Sequence, residues 1–381
     1  MITIQQILNE HLDSLLRSHT LSVPQYRAAR ALSVCRTAAL GGHVQRCPNG
    51  HVERVWYNSC RHRACPQCNG LAKEQWLERA GARLIECAHW HVVFTIPHEL
   101  NVLWMLNTDA MMSALFAAAR DTLLELLNDP RHLGAQPGIM LALHTWGRSL
   151  NLHPHIHALV SDGGLREGLW VQPRRSHFLP ARVVMQLFRG KLLDALRALH
   201  RAGALRLPDE LSAERFVSLT NRLGRKVKWN VRVCARYAHG RGVSIYLARY
   251  VKGGPFNNTQ IARANNSRVI FRYTPHAQAD QPKPRAALRL SPERFLARVL
   301  AHAPEPNRHS VRYYGLYAHA CAEQLNAARG LHGQLPAAPP EPIQWQRYLA
   351  CYPRALASTH CPRCHAPLVR GALIVASRAP P

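Results

Sequence analysis

Residues 153–160, HPHIHALV, constrain this chain more than any other stretch. His153, His155 and His157 alternate, and the tail from Ile156 to Val160 is apolar and β-prone. Side chains at i and i+2 of a strand share a face, so His155 and His157 project together while Ile156 and Ala158 face the other way. Two imidazoles on one face of a rigid strand are a ready pair of metal ligands. For one histidine, simple hydrogen bonding in a core is the plainer reading; three in alternation, running into an apolar strand, argue against it. A His-x-His pair also serves amidohydrolase-type enzymes, which need carboxylates and further histidines downstream. Pro154 has no N–H for a ladder, which places it among the strand's first residues. Gly163 and Gly164 are expected to end the strand in a turn. GIMLALHTWG, 138–147, reads as an antiparallel neighbour and carries His144.

The chain of 381 residues carries 49 Lys+Arg against 22 Asp+Glu, a formal net charge of +27 spread along its whole length. A folded body this basic calls for a polyanion, and nucleic acid is the default. Arginine forks predominate, which suits phosphate. The N-terminus is amphipathic with early acids, unlike a signal peptide. No run approaches the roughly 20 apolar residues of a membrane span. A cytoplasmic, nucleoid-associated protein without membrane contact is expected, and its eleven cysteines read as metal ligands or core thiols rather than disulfides.

Cys65-Pro66-Gln67-Cys68 is a paired-ligand knuckle, preceded by Cys47-Pro48-Asn49-Gly50-His51 and Cys60. Two knuckles about the short hairpin VERVWY predict a zinc ribbon. The expected Zn2+ ligands are Cys47, Cys65 and Cys68 with His51 or Cys60; Cys35 and His62 are outside candidates. A last pair, Cys361 and Cys364, suggests a second, smaller knuckle, with His360, His365 and Cys351 nearby. Residues 1–34 read as helical, HWHVVFTIP at 89–97 as a core strand with His89 and His91 structural, and 182–199 as an amphipathic helix. LPAAPPEP, 335–342, reads as a linker.

RGVSIYLARYVKGGP, 241–255, places Tyr246 and Tyr250 one helical turn apart on one face, flanked by Arg249 and Lys252. A His-hydrophobic-His strand, a downstream tyrosine helix and a basic body resemble the HUH single-stranded DNA nucleases. The cysteine cluster ending YNSCRHRACPQC, then LHTWG, HPHIHALV and YLARYV, is similar to one branch, the two-tyrosine rolling-circle transposases of insertion-sequence family ninety-one. The resemblance covers about residues 30–320. The family's second cysteine of the first knuckle is replaced here by the Asn49-Gly50-His51 region.

The resemblance implies an α+β fold: a central antiparallel sheet of HUH-nuclease type with packing helices, plus an N-terminal zinc ribbon. It implies an N-terminal helical segment over 1–34, a zinc-binding domain over 35–85, a catalytic domain over 86–320, and a tail with linker and CxxC over 321–381. Function follows as rolling-circle transposition, with Tyr246 or Tyr250 cleaving and rejoining single-stranded DNA through a 5′-phosphotyrosine. Mg2+ or Mn2+ would be held by His155 and His157, with His153 or His144 as third ligand. Arg249, Lys252 and Arg312 would contact DNA, together with Tyr313 and Tyr314; single strands or hairpin ends are the expected partner, and self-association stays open. The rival readings are a plasmid-type replication initiator or relaxase, and a non-catalytic zinc-ribbon nucleic-acid-binding protein.

Overall fold

The structure, a computed structural model, describes residues 2–173, 179–238, 254–275, 285–305, 307–351 and 359–377. Tyr246, Arg249, Tyr250 and Lys252 lie outside the described residues. The architecture is α+β. In chain order the strands are β1 (Gly42–Arg46), β2 (Glu53–Tyr57), β3 (His89–Thr95), β4 (Gln136–Trp146), β5 (Leu152–Arg166), β6 (Leu169–Val171), β7 (Asn230–Tyr237), β8 (Ile261–Ala264), β9 (Val269–Tyr273), β10 (Ala286–Leu290), β11 (Val311–Gly315) and β12 (Val369–Ile374).

The main sheet runs β11-β4-β5-β3-β7, with β6 paired to β5, and its ladders are antiparallel. One face is apolar because alternate positions of its strands are: Val92 and Phe94 of β3, Ile139 and Leu141 of β4, Ile156 and Ala158 of β5. This face is covered by α4 (Asn101–Leu106), α5 (Thr108–Asn128) and α6 (Ala181–Arg201), and Phe116 of α5 and Phe188 of α6 are fully buried. Phe94 and Phe188 meet with centroids 4.9 Å apart. The opposite face buries Met140, Ala142 and Leu159 against Trp76 and Ala80 of α3 (Gly70–Arg83) and against Leu325 and Ala328 of the helix Ala322–Leu331.

Strand β5 does not stop at the Gly163-Gly164 pair. Gly163 takes φ 140° with the Trp170 ring packed where a Cβ would sit, and Ser161 Oγ donates to its carbonyl at 2.7 Å. The chain thereby bulges and continues to Arg166, pairing with β6; the glycines permit a close aromatic contact rather than a turn.

The N-terminal helices α1 (Ile4–Ser18) and α2 (Val23–Ser33) are not a separate unit. Ile4, Ile7, Leu8 and Leu32 share one core with Cys35 and Cys65, with Phe271 of β9, and with Phe295 of the helix Pro292–Leu300. Nor does the C-terminal stretch stand alone: β12 pairs with β1, and β1 with β2, as one three-stranded sheet. The expected partition at residues 34, 85 and 320 therefore does not divide the packing. Segments of a few dozen residues bury too little surface to form cores by themselves, so they borrow one another's.

Candidate active site and metal centres

The antiparallel register assembles a histidine cluster on the face of the main sheet away from α5 and α6. His155 and His157 point to this face from β5. On β4, His144 stands directly opposite His155 and Ala142 opposite His157; residues directly opposite on antiparallel strands share a face. Donor nitrogens of His144, His155 and His157 all lie within 4.8 Å of one another. His155 Nε2 and His157 Nε2 are 3.1 Å apart. Two nitrogens each about 2.1 Å from one ion stand roughly 3.0–3.4 Å apart, so the pair is spaced for chelation. His153 does not join this group through its ring; its carbonyl accepts the His155 Nδ1–H at 2.6 Å. That bond fixes the His155 tautomer and leaves its Nε2 lone pair facing the cluster. Trp146 stacks on His144 with centroids 5.1 Å apart.

Burial sets the charge state. It pushes His155 down to about 4 and holds His144 and His157 well below the usual histidine range, with the neighbouring imidazoles adding to the effect on both. At neutral pH the three rings are uncharged and present lone pairs, as metal ligands must.

One participant was hidden in the sequence. The expectation that His89 and His91 are structural fits His89, whose Nε2 lies 2.6 Å from the Tyr317 hydroxyl and whose Nδ1–H donates to the Cys87 carbonyl. His91 is different. Its Nε2 lies 2.8 Å from His157 Nδ1, and it is buried and pushed down to about 4 by burial, then by Arg232. His91 thus holds the ring nitrogen of His157 that is turned away from His155. Alternation of His89 and His91 was the available signal, but only the β3–β5 register brings His91 beside His157.

The cysteines sort into two groups, but their members combine differently from the expected ribbon and C-terminal knuckle. Cys35, Cys60, Cys65 and Cys68 form the first. Cys60 and Cys68 sulfurs are 3.8 Å apart, and those of Cys35 and Cys65 are 3.6 Å apart. Sulfurs at the corners of a zinc tetrahedron with about 2.3 Å bonds stand about 3.8 Å apart. The neighbouring thiols pull Cys35 down and push Cys65 up. Asn69 Nδ2 ties the loop, donating to the carbonyls of His62, Arg63 and Cys65. Cys47 and His51 are not in this group; they meet Cys361 and Cys364 instead. The β1–β2 hairpin carries Cys47 toward β12, while Cys35, at the end of α2, completes the other set.

On the histidine face of the same sheet lies a cavity of about 300 Å3 lined by Arg63, Arg79, Arg83, Trp76, Tyr313 and His309 among others. Arg83 sits over the Tyr313 ring at 5.1 Å. Tyr313 pairs with Met140, and Val311 with Ala142, the residue opposite His157. With strands about 4.8 Å apart, Val311 stands roughly 10 Å from His157. Arg312 points the other way, its guanidinium 4.2 Å from the centroid of the Phe116 ring on the helical face. Tyr314 shares that face, with Arg120 over it at 5.6 Å. Of the three residues expected at DNA from this strand, only Tyr313 faces the histidines' side.

Residues 7–96 match the family model of the IS91-type "Transposase zinc-binding domain", and residues 138–324 match one described as "Putative transposase". The "Putative transposase y4qJ" of Sinorhizobium fredii (strain NBRC 101917 / NGR234) is 34% identical over 371 residues, covering 95% of this chain and 92% of that one. The chain belongs to the IS91 family of transposases. The "Transposase for insertion sequence element IS801" of Pseudomonas savastanoi pv. phaseolicola is 33% identical over 300 residues, 76% of this chain and 70% of that one. No solved structure matches. As an IS91-family transposase this is a DNA-processing enzyme with an N-terminal zinc-binding domain, and its charge of +27 accords with a DNA partner. Among the described residues no helix is long and apolar enough to cross a membrane. The zinc-binding match contains the whole first cysteine group, whereas Cys361 and Cys364 fall outside both matched segments.

Proposed function

We propose that this transposase moves its element by rolling-circle transposition, cleaving and rejoining single-stranded DNA with Tyr246 and Tyr250 as nucleophiles and a divalent ion, Mg2+ or Mn2+, held by His144, His155 and His157. The observation that carries the reading is the convergence of three neutral imidazoles, those of His144 and His157 buried and that of His155 half-buried, on one sheet face. A bound ion would polarise the scissile phosphate and offset the charge that develops on it. The chain's own groups do the rest. His155 and His157 fix the site through a tautomer set by the His153 carbonyl and by His91. A tyrosine hydroxyl gives up its proton to water and attacks phosphorus. The bond to the 3′ oxygen breaks, that oxygen takes up a proton, and the downstream strand stays on the protein as a 5′-phosphotyrosine. The phosphodiester energy is conserved, so attack by a 3′-OH reseals the strand without a nucleoside triphosphate. The experiment is direct: a 3′-end-labelled single strand carrying the element's terminus is incubated with Mn2+. Label should move to protein size on a denaturing gel. Its failure to do so with every terminal sequence of the element would leave only the DNA-binding reading.

His91 then acts as a positioning residue. Its replacement by Ala should lower Mn2+ affinity by roughly 10–100-fold, the range for losing the outer partner of a ligating histidine. Titration with Mn2+ measures this, and an unchanged affinity means that His91 only packs.

The basic cavity supports the single-strand part of the reading. Three guanidiniums offer phosphate contacts, and the half-buried Tyr313 offers an aromatic side chain beside them for stacking bases. Affinity for single strands should fall steeply with salt. Arg79→Ala should reduce the slope of log K against log salt by roughly 0.7, the share of one phosphate contact. A slope unaltered by Arg79→Ala removes the cavity from the DNA path.

A further inference from the structure

We infer that Cys47, His51, Cys361 and Cys364 bind a second zinc ion, one that clips the C-terminal segment onto the N-terminal zinc-binding domain. The four donor atoms lie within 4.8 Å of one another. The Cys47 and Cys364 sulfurs are 3.5 Å apart, and Cys47 Sγ lies 3.8 Å from His51 Nδ1. A tetrahedral ion with usual bond lengths calls for about 3.8 Å between sulfurs and about 3.6 Å between sulfur and nitrogen.

Both halves are preformed as ligand-bearing turns. In the first, the Cys47 N–H donates to the Val52 carbonyl and the Gly50 N–H to the Cys47 carbonyl. Gly50 takes φ 74°, which brings His51 back beside Cys47. In the second, the Arg363 N–H points at the Cys361 sulfur at 3.4 Å, and the Cys361 N–H donates to the Ala366 carbonyl. An amide aimed at the first sulfur of a Cys-x-x-Cys turn stabilises thiolate, the form that binds metal. Asn49 Nδ2 approaches the Cys364 sulfur at 3.5 Å.

The surroundings supply an independent reason. Strand β12 pairs with β1 from Gly42↔Ile374 to Arg46↔Val369, joining residues more than 300 positions apart in the sequence. Yet the sheet β12-β1-β2 has little core. Val55, Val369 and Leu373 are 46%, 56% and 70% exposed, and no residue of β12 is buried. A three-stranded sheet of five- and six-residue strands with no apolar layer is marginal in water. Small modules that cannot bury a core are commonly closed by metal. Upstream, the Tyr348 hydroxyl packs against Gly70 at the start of α3, two residues after Cys68, and Gln75 Nε2 donates to the Ile343 carbonyl. The C-terminal segment is thus laid along the zinc-binding domain, and the second ion fastens its end.

This inference does not depend on the cleavage mechanism. The test is zinc content of the full chain purified without added metal, before and after substitution. Wild type should carry two zinc ions per chain. Cys361→Ser/Cys364→Ser should carry one, and limited proteolysis should then release the C-terminal segment that resists in wild type. His51→Cys, which keeps a four-ligand set, should retain both ions and the resistance. Equal zinc content in wild type and Cys361→Ser/Cys364→Ser would overturn the site. So would a Cys47–Cys364 disulfide in the protein isolated under reducing conditions, since that bond would consume two of the four ligands.

Discussion

Replacing His157 by Ala should abolish strand cleavage while leaving DNA binding within a few-fold of wild type. His157 lies at the centre of the histidine cluster: its Nε2 faces His155 at 3.1 Å and its Nδ1 faces His91 at 2.8 Å. Its loss leaves only two of the three ligands, His144 and His155. Losing one preorganised electrostatic contact to a reacting centre typically costs about 10²–10³ in rate, and losing the ion removes more than one such contact. A fall of at least roughly 10³-fold is therefore expected for His157→Ala, and likewise for His155→Ala. DNA affinity should persist because it comes from the distributed arginines, not from three uncharged rings. The pH dependence follows from burial. His155 is pushed down to about 4, so the lone pairs remain available from neutral pH down to near 5 and are lost as pH falls through about 4, where the ring takes up a proton. Cleavage measured at saturating Mn2+ should hold over that window. A profile collapsing near the ordinary histidine value of about 6.5 would mean that the cluster is solvated and that burial does not set its charge. Covalent adduct formation by His157→Ala at the wild-type rate would exclude the cluster from catalysis.

The site was legible where it depends on strand period and on neighbours in sequence. Alternation alone puts His155 and His157 on one face, and the short 138–160 hairpin brings in His144. What the sequence did not yield depends on distant pairing. His91 reaches His157 only because β3 is the other neighbour of β5 in the sheet. Cys47 sits 18 residues from Cys65 but finds its partner sulfur at Cys364, because β12 adds to β1 across almost the whole chain. Cys-x-x-Cys spacing identifies half-sites; which halves combine is decided by tertiary packing. Arg312 shows the same limit in one residue: a basic, aromatic run says nothing of which side chains alternate inward, and Arg312 faces Phe116 rather than the histidines. The Gly163-Gly164 pair predicts a strand end because glycine pairs usually mark turns, whereas here the missing Cβ of Gly163 makes room for Trp170.

Replacing both Tyr246 and Tyr250 by Phe should eliminate the covalent adduct and leave DNA binding intact, because the phenol oxygen is a nucleophile in this reading and not a binding anchor. The effect is total in principle, since no other group in the proposal forms the phosphotyrosine bond. Tyrosine has an ordinary pKa near 10, so an unassisted hydroxyl is a poor nucleophile at neutral pH, and in this reading a histidine-held ion would make the attack feasible. The single substitutions carry the finer information. If the stretch that carries them is helical, as its spacing predicts, two tyrosines one turn apart share a face, which would let one hold the first cleaved strand while the other cuts again. If both act, Tyr246→Phe and Tyr250→Phe should each still cleave an oligonucleotide to some extent, yet each should fail at complete transposition in cells. If one single variant loses all cleavage and the other is normal in both assays, the reaction uses one nucleophile and the second tyrosine packs. If the double variant still forms the adduct, the nucleophile lies elsewhere, and Tyr237 is the next residue to test. It ends β7 partly exposed, with its ring 6.3 Å from that of His91, so it is already beside the cluster from which an attack on a held phosphate would come.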